Sequence, residues 1–321
     1  MSGKLSFNDT RKMLANGPFA AYILGNLASH IGDWAQRLAV GWLVWEMTKS
    51  PGWLGVVFFS DLAPTLLLSP VGGALADRID RLKLARITLV LAMFNPAVLA
   101  VLYFAGLLTV WWLLAAAIYL GVVNAFGQAT RVALMAMLVA EEDIPRAAPI
   151  SSITFNIARF AGPALFGFIS SHTDVGFAIL INLAAYLVFF VVLLSIRPRA
   201  EVRSGRGGRR GLGSDIVDGF RYALTHPAVG PLLIVLLVSS LGTRAFMDLL
   251  PGFAGGIFGK GPEALAILTG AVGLGALSGA IYLTLRPTVM GLASISMFAS
   301  AWVGACLILF SLQESFWPAV I

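Results

Sequence analysis

The sequence predicts an all-α polytopic membrane protein. Of its 321 residues, 58% are hydrophobic and 12% are charged, and the mean hydropathy is +0.87. Soluble domains carry about 25% charged residues, so this composition cannot cover a water-facing surface. At about 20 apolar residues per crossing, the hydrophobic residues suffice for about nine membrane helices. These numbers exclude a soluble enzyme, a nucleic-acid-binding domain and a disulfide scaffold, and Cys306 is the single cysteine.

Apolar runs separated by glycine, proline or charge define the predicted helices. In a bilayer each run must be helical, because an open strand would leave backbone groups unpaired. The run from Phe19 has no small-residue cleavage site and further spans follow it, so we expect it to be retained as the first helix. The runs lie at about residues 18–45, 53–76, 84–106, 110–138, 149–171, 175–196, 227–252, 262–285 and 290–312, and a tenth begins at Phe316.

The loops between these runs differ in charge. Sixteen lysines and arginines fall at the N-terminus or in loops on one side of the membrane, whereas Lys49 and Lys260 alone fall in loops on the other. Short cytoplasmic loops are enriched in Lys and Arg, so the N-terminus is predicted to be cytoplasmic. We therefore expect a multi-pass protein of the inner (plasma) membrane.

One basic linker divides the chain. Residues 197–213 read RPRAEVRSGRGGRRGLG and have no aromatic side chains on which bases could stack, so they favour a cytosolic tether near anionic lipid over a nucleic-acid partner. Residues 214–227 place apolar side chains at helical spacing, which predicts a short amphipathic helix. The predicted organisation is a six-helix N-terminal bundle (1–196), the linker with its amphipathic helix (197–226) and a partial C-terminal bundle (227–321).

A motif between the second and third runs points to a family. Residues 73–83 read GALADRIDRLK, in which Gly73 precedes Asp77 and Arg78, and Arg81 follows in a basic turn. This resembles the signature of the major facilitator superfamily, and the Asp-Arg-x-Asp-Arg form resembles the branch that includes the enterobactin exporter and macrolide efflux proteins. Three other stretches are similar to that branch in the same order: GDWAQRLAVGWLVWEMTKSP (32–51), ATRVALMAMLVAEEDIPRA (129–147) and SITFNIARFAGPALFGF (152–168).

The resemblance implies the major facilitator fold, with two six-helix bundles around a central site. It implies that Asp77, with Gly73, Arg78 and Arg81, helps lock the halves together on the cytosolic side, although a positive-inside anchor also explains the basic residues. Because this fold has twelve helices, we expect the chain to lack most of the tenth and the two that follow. Two related halves also leave similar spans one and seven: Leu27, Ser29, Gly32 and Ala35 recur as Leu237, Ser239, Gly242 and Ala245.

The fifth run carries a further likeness. Gly162, Pro163 and Gly167 resemble the Gly-Pro motif that marks antiporters in helix five, where small residues and a kink permit close helix contacts. Arg159, one turn earlier, belongs to the same stretch. It has two interpretations, a functional charge within the bundle or a side chain that reaches the cytosolic interface.

Charged residues inside the first and seventh runs are the coupling candidates. An Arg or Asp at a helix centre costs about 2.5–3.5 kcal/mol on insertion scales, so each needs a partner, a cavity or a function. Asp33 and Arg37 are predicted to pair across one turn, and Arg244 and Asp248 repeat this in reverse order. Asp33 is either a proton-responsive carboxylate facing a cavity or half of a structural ion pair. His30 nearby either shuttles protons or is simply hydrogen-bonded.

Other polar and aromatic residues inside the runs are candidates for a cavity wall. A few polar groups among aromatic and aliphatic walls suit an amphipathic organic substrate better than a sugar or a phosphate. The candidates are Trp34, Asp61, Asn124, Gln128, Arg131 and Asn156.

These patterns predict a secondary transporter. The sequence has no Cys/His cluster with metal-ligand spacing and no phosphate-binding P-loop, so we expect no metal, no cofactor and no fused ATPase. The expected function is export of lipophilic small molecules or siderophores by alternating access in exchange for protons. The alternative is a truncated, non-transporting membrane remnant or scaffold, and a membrane enzyme lacks any catalytic cluster.

Overall fold

A computed structural model of the chain describes residues 17–197, 229–285 and 291–320. Within these ranges the secondary structure is helical, and each of the ten predicted runs coincides with a helix. The linker and its predicted amphipathic helix lie outside the described residues, as do the side chains of Asp77 and Arg78. The helices are α1 (Gly17–Thr48), α2 (Pro51–Arg78), α3 (Arg81–Phe104), α4 (Val110–Met137), α5 (Ile144–His172), α6 (Gly176–Ser195), α7 (Val229–Gly252), α8 (Pro262–Leu285), α9 (Leu292–Ser311) and α10 (Phe316–Val320).

Seven of the described helices contain a stretch long and apolar enough to cross a membrane. They are α2 to α6, α8 and α9. Large apolar side chains point away from the protein on several of them, for example Leu67 (76% exposed) and Phe298 (72% exposed), as expected of lipid-facing surfaces. α1 and α7 are long enough but fall outside the seven, and both carry charged side chains in their interiors. The count of about nine spans therefore stays a prediction.

Local sequence determines where α2 ends and α3 begins. Asp80 is the N-cap of α3, and its carboxylate accepts a hydrogen bond from the backbone N–H of Lys83 over 2.6 Å. Aspartate is among the preferred N-cap residues because it satisfies a free N–H of the first turn. Asp80 of the family-like motif thus has a structural role in the α2–α3 turn.

The first six helices pack through close backbone contacts. α1 lies against α5 and α6, α2 against α4, and α3 against α4 and α6. α2 and α4 approach through glycine, since a Cβ at Gly72 would collide with the carbonyl of Ala125 and one at Gly121 with the carbonyl of Asp61. Small residues at such interfaces let membrane helices come within van der Waals contact.

Two sets of contacts join the first six helices to the rest. α8 packs along α5, where a Cβ at Gly273 would lie 2.8 Å from the carbonyl oxygen of Arg159. The second set lies at the α1–α2 end, meaning the end of the molecule where α1 leads into α2. There Trp45 packs against Gly255 and Gly256 in a π-helical turn (Phe253–Ile257) that continues α7.

Candidate functional site

A cavity of about 650 Å³ lies between the first six helices and α7. Every one of α1 to α7 contributes to its wall, which carries four arginines and three aspartates among the described residues. The structure thus brings together residues that are far apart in sequence. The predicted site residues in the wall are Asp33, Trp34, Arg37, Asp61, Asn124, Gln128, Arg131, Arg159, Arg244 and Asp248.

Four of these charges form one cluster that joins α1, α2 and α7. Arg37 Nη2 donates to Asp248 Oδ1 over 2.5 Å, and its Nη1 lies 3.4 Å from Asp61 Oδ2. Arg244 Nη2 donates to the same Asp61 oxygen over 3.2 Å. The Arg37 guanidinium also lies 4.5 Å from the centre of the Phe58 ring. Two arginines and two aspartates make the cluster neutral, which lowers the cost of holding these charges in the membrane.

The predicted pair between Asp33 and Arg37 is not formed. The long side chain of Arg37 reaches Asp61 and Asp248 on other helices, and these carboxylates take its donors. Spacing along one helix indicates which residues share a face of that helix. It does not show which side chains of neighbouring helices compete for the same partner. The predicted Arg244–Asp248 pair is present, but its Nε–Oδ2 distance of 3.9 Å is longer than the contacts between helices.

Asp33 instead belongs to a second polar group. Its carboxylate accepts a hydrogen bond from the hydroxyl of Tyr186 on α6, and Oδ2 lies 3.5 Å from His30 Nδ1. Arg131 on α4 is within electrostatic reach of this carboxylate. The surroundings of Asp33 therefore contain groups that can exchange a proton with it and a cation that favours its charged form.

Arg131 is positioned by the polar residues of α1. Its Nη1 lies 3.2 Å from Ser29 Oγ and 3.4 Å from Asn26 Oδ1, and its guanidinium lies over the ring of Phe189. Tyr22 donates to the backbone carbonyl of Arg131 over 2.8 Å. These contacts fix the C-terminal half of α4 against the N-terminal half of α1.

Arg159 extends into the cavity. Its Nη2 lies 3.2 Å from Met247 Sδ, and its guanidinium lies 5.8 Å from the centre of the Trp34 ring. Its Nε is buried and has no hydrogen-bond partner among the described residues.

Two of the predicted helix-five residues allow close contact with other helices, since a Cβ at Gly162 would collide with Trp34 on α1 and one at Gly167 would lie 2.7 Å from Ala266 on α8. Pro163 lies inside α5.

Three amides that the sequence reasoning missed form a buried network. Gln36 Nε2 donates to Asn95 Oδ1 over 2.7 Å, and Asn182 Nδ2 donates to Gln36 Oε1 over 2.6 Å. Asn95 in turn donates to the carbonyl of Ala116 over 2.8 Å. Asn95 and Asn182 are isolated polar residues in apolar runs, and that isolation was the signal available in the sequence, whereas Gln36 lies beside Arg37. The network ties α1 to α3, α4 and α6 beside the cavity.

Some predicted site residues lie elsewhere. Asn156 is not among the cavity residues, because its amide folds back one turn and donates to the carbonyl of Ser152 over 2.9 Å. Gly73 and Arg81 lie on either side of the α2–α3 turn, away from the cavity wall. The side chains of Asp77 and Arg78 lie outside the described part of the structure, so the cytosolic gate stays a prediction.

Comparison with known proteins identifies the family. The chain matches the sequence profile of the transmembrane secretion effector family over residues 12–321. The chain belongs to the major facilitator superfamily. Members of this superfamily are multi-pass membrane transporters and not enzymes, as the sequence predicted.

Individual relatives agree with this assignment. The chain is 30% identical over 171 residues to the staphyloferrin A transporter of Staphylococcus aureus, a match that covers 52% of this chain and 42% of that protein. It is 26% identical over 239 residues to the MFS-type transporter YfiS of Bacillus subtilis, covering 71% and 55%. The chain thus spans about half the length of the curated relatives it matches.

A solved structure supports the fold. The crystal structure of a D-xylose-proton symporter superposes with a TM-score of 0.53 at 14% identity, and the match covers 84% of this chain and 66% of that one. The described part of the chain therefore has the all-helical architecture of a major facilitator protein.

Proposed function

We propose that the protein is a secondary active transporter that exports lipophilic small molecules or siderophores by alternating access, driven by proton antiport. The observation that carries this proposal is the cavity that α1 to α7 line together, with seven charged side chains among its aromatic and aliphatic walls. Charges inside a membrane protein are costly and mark ion or substrate pathways. The match to a protein named as a staphyloferrin A transporter supports a small organic substrate.

The contacts at the two ends of the molecule support an inward-facing conformation. At the α1–α2 end, Gly41 packs against Phe58 and Pro251, and Trp45 packs on the π-helical turn, so the halves touch there. At the opposite end, the buried apolar cluster that contains Phe19, Tyr22 and Phe189 draws only on the first half of the chain among the described residues. With a cytoplasmic N-terminus in the plasma membrane, the closed end faces outward and the cavity opens to the cytosol.

The charge cluster supplies a latch for the outer end. Opening that end separates Arg37 from Asp248 and Arg244 from Asp61, which are the contacts between the halves. Arg37 then keeps Asp61, and Arg244 keeps Asp248, because each of these pairs lies within one half. Both conformations leave the four charges balanced, so the latch can open without exposing an unpaired charge to the membrane.

Asp33 is the residue we propose for proton coupling. It faces the cavity, and the titratable and charged groups around it come from three helices: His30 on α1, Arg131 on α4 and Tyr186 on α6. A proton arriving from the outer side neutralises Asp33, so Arg131 loses its negatively charged partner. On the cytosolic side, Asp77 and the basic residues near it are the proposed gate.

Proton release from energised inverted vesicles tests this function. Energised inverted vesicles pump protons into their lumen. The resulting pH gradient quenches the fluorescence of an acridine dye, and loss of the gradient restores it. Enterobactin, naphthalene-1-sulfonate and tetraphenylphosphonium are added in turn to vesicles with and without the protein. We expect at least one compound to restore fluorescence in the vesicles that contain the protein. Equal fluorescence traces from vesicles with and without the protein, for all three compounds, would support the non-transporting scaffold instead.

A further inference from the structure

The charges in the cavity wall do not balance. Arg37 and Arg244 are matched by Asp61 and Asp248 in the neutral cluster. Arg131 is matched by Asp33, which lies within its electrostatic reach. Arg159 remains, and among the described residues no carboxylate lies within 4 Å of it. The described part of the wall therefore carries one positive charge without a carboxylate partner, and that charge is on α5.

The surroundings of Arg159 leave its donors free. Its one described hydrogen bond goes to the thioether of Met247, which is a weak acceptor, and its Nε is buried with no partner. A guanidinium presents its donors in a planar fork that binds carboxylate, sulfonate or phosphate oxygens through two parallel hydrogen bonds. A partly buried arginine without an anion is costly in a membrane protein, so an anionic ligand would lower the free energy of this site.

Aromatic rings stand beside this cation. Trp34 lies under the guanidinium of Arg159, and its ring contacts that of Phe155 edge to face at 6.3 Å between centroids. Phe155 contacts His30 in the same manner at 5.5 Å. Phe155 is 43% exposed, and all three rings line the cavity. An apolar ring system of a ligand can therefore pack here while its anionic group reaches the arginine.

We propose that the cavity binds an organic anion, with the anionic group paired to Arg159 and the apolar body against Trp34 and Phe155. The proposal rests on the proposed function, in that the same cavity is the transport site, and it names the charge class of the substrate. Arg159 binds the substrate directly, whereas Asp33 and the charge cluster serve coupling and gating.

Equilibrium binding to the full chain in lipid nanodiscs tests this proposal without any gradient. Naphthalene-1-sulfonate and naphthalene-1-sulfonamide have nearly the same shape and differ by one charge, and (1-naphthylmethyl)trimethylammonium supplies the opposite charge. We expect the sulfonate to bind about tenfold more tightly than the sulfonamide, since a charge-assisted bidentate contact contributes at least this much. The cation should bind more weakly than either, with empty nanodiscs as the blank.

Variants of Arg159 distinguish a loss of anion binding from a failure to fold. Arg159→Gln should bring sulfonate affinity down to that of the sulfonamide and leave sulfonamide affinity unchanged, while Arg159→Lys should keep a preference for the anion. Arg86→Gln is the matched control, because Arg86 donates to the carbonyl of Leu193 outside the cavity. Equal affinities of sulfonate and sulfonamide in the wild-type protein would overturn the proposal even if Arg159→Gln failed to fold. Gradient-driven proton release in the same protein would then leave the proposed transport function standing.

Discussion

Arg37 on α1 and Asp248 on α7 are joined by a 2.5 Å hydrogen bond between charged groups, the shortest ion pair among the described residues. The pair connects the first half of the chain to the second just below the α1–α2 end, where Trp45 and the π-helical turn close the molecule. Asp61 and Arg244 complete the cluster, so each half contributes one positive and one negative charge.

This pair should show energetic coupling between the halves. Arg37→Gln leaves two carboxylates facing one guanidinium, and Asp248→Asn leaves two guanidinium groups facing one carboxylate. The double variant retains the Asp61–Arg244 pair alone and should recover part of the lost stability. We expect a coupling energy of about 0.6 kcal/mol and at most about 2 kcal/mol, the range of polar contacts between membrane helices. A double-mutant cycle of thermal unfolding in nanodiscs measures it, with Arg86→Gln in place of Arg37→Gln as the control pair; additive effects would contradict the latch.

Asp33→Asn should uncouple transport from the pH gradient. The asparagine imitates the protonated carboxyl group and can still accept from Tyr186, so we expect normal insertion and substrate binding. Export should lose its dependence on the gradient, because no carboxylate remains to alternate between charged and neutral forms. Asp174→Asn at the α5–α6 turn removes an acid that does not line the cavity and serves as the control.

A structural role for Asp33 predicts another pattern. Asp33→Asn would then express poorly, because Arg131 would lose its counter-charge, and would recover when Arg131 is changed to glutamine, while gradient-driven export would persist. Arg37 is not the partner to change in this rescue, because it pairs with Asp61 and Asp248. Expression level and gradient-driven proton release in the single and double variants distinguish the two roles.

Gly273→Ala should impair movement between α5 and α8. Its Cβ would lie 2.8 Å from the carbonyl oxygen of Arg159 and 2.9 Å from Cα of Phe160, so the two helices would have to separate. Overpacking of this kind costs about 1–3 kcal/mol. We expect a lower unfolding temperature and slower turnover. Gly270→Ala lies one turn earlier on the same helix, where a Cβ meets open space, and should behave as the wild type; equal effects of both would show that helix propensity and not packing is responsible.

Asn95→Leu should destabilise the first half of the chain. The substitution removes the acceptor of Gln36 Nε2, leaving a buried donor without a partner, and such a loss costs about 1–3 kcal/mol. Asn124→Leu, at a cavity residue outside the buried amide network, is the control. Thermal unfolding should separate the two variants by several degrees, and identical unfolding temperatures would mean that the network does not stabilise the bundle.

The sequence predicted the helices well because the bilayer leaves the backbone few alternatives. Each apolar run had to be helical, and proline or charged residues marked where runs ended, so α1 to α10 fall close to the predicted ranges. The family motifs likewise depend on short local patterns, such as Asp77-Arg78 before the turn that Asp80 caps.

Partners between helices could not be predicted in the same way. The 3.6-residue period placed Asp33 and Arg37 on one face of α1, but only the packed structure shows that α7 brings Asp248 to Arg37 and that α6 brings Tyr186 to Asp33. The same limit explains Asn156, whose amide donates a hydrogen bond to the backbone carbonyl of Ser152 on its own helix and does not reach the cavity. Which polar residues meet is decided by packing between distant segments, and a single sequence carries no direct record of that.

Alternating access can be measured most directly as a distance across the α1–α2 end. Cys306 is exposed, so Cys306→Ser provides a cysteine-free background, and spin labels at Ser50→Cys and Lys260→Cys report on the two halves. Pulsed electron spin resonance in nanodiscs should give a short distance that corresponds to the closed end. We expect a second, longer distance to gain population on acidification or with naphthalene-1-sulfonate, and to be more populated in Arg37→Gln. A single distance that stays unchanged under all these conditions would contradict alternating access.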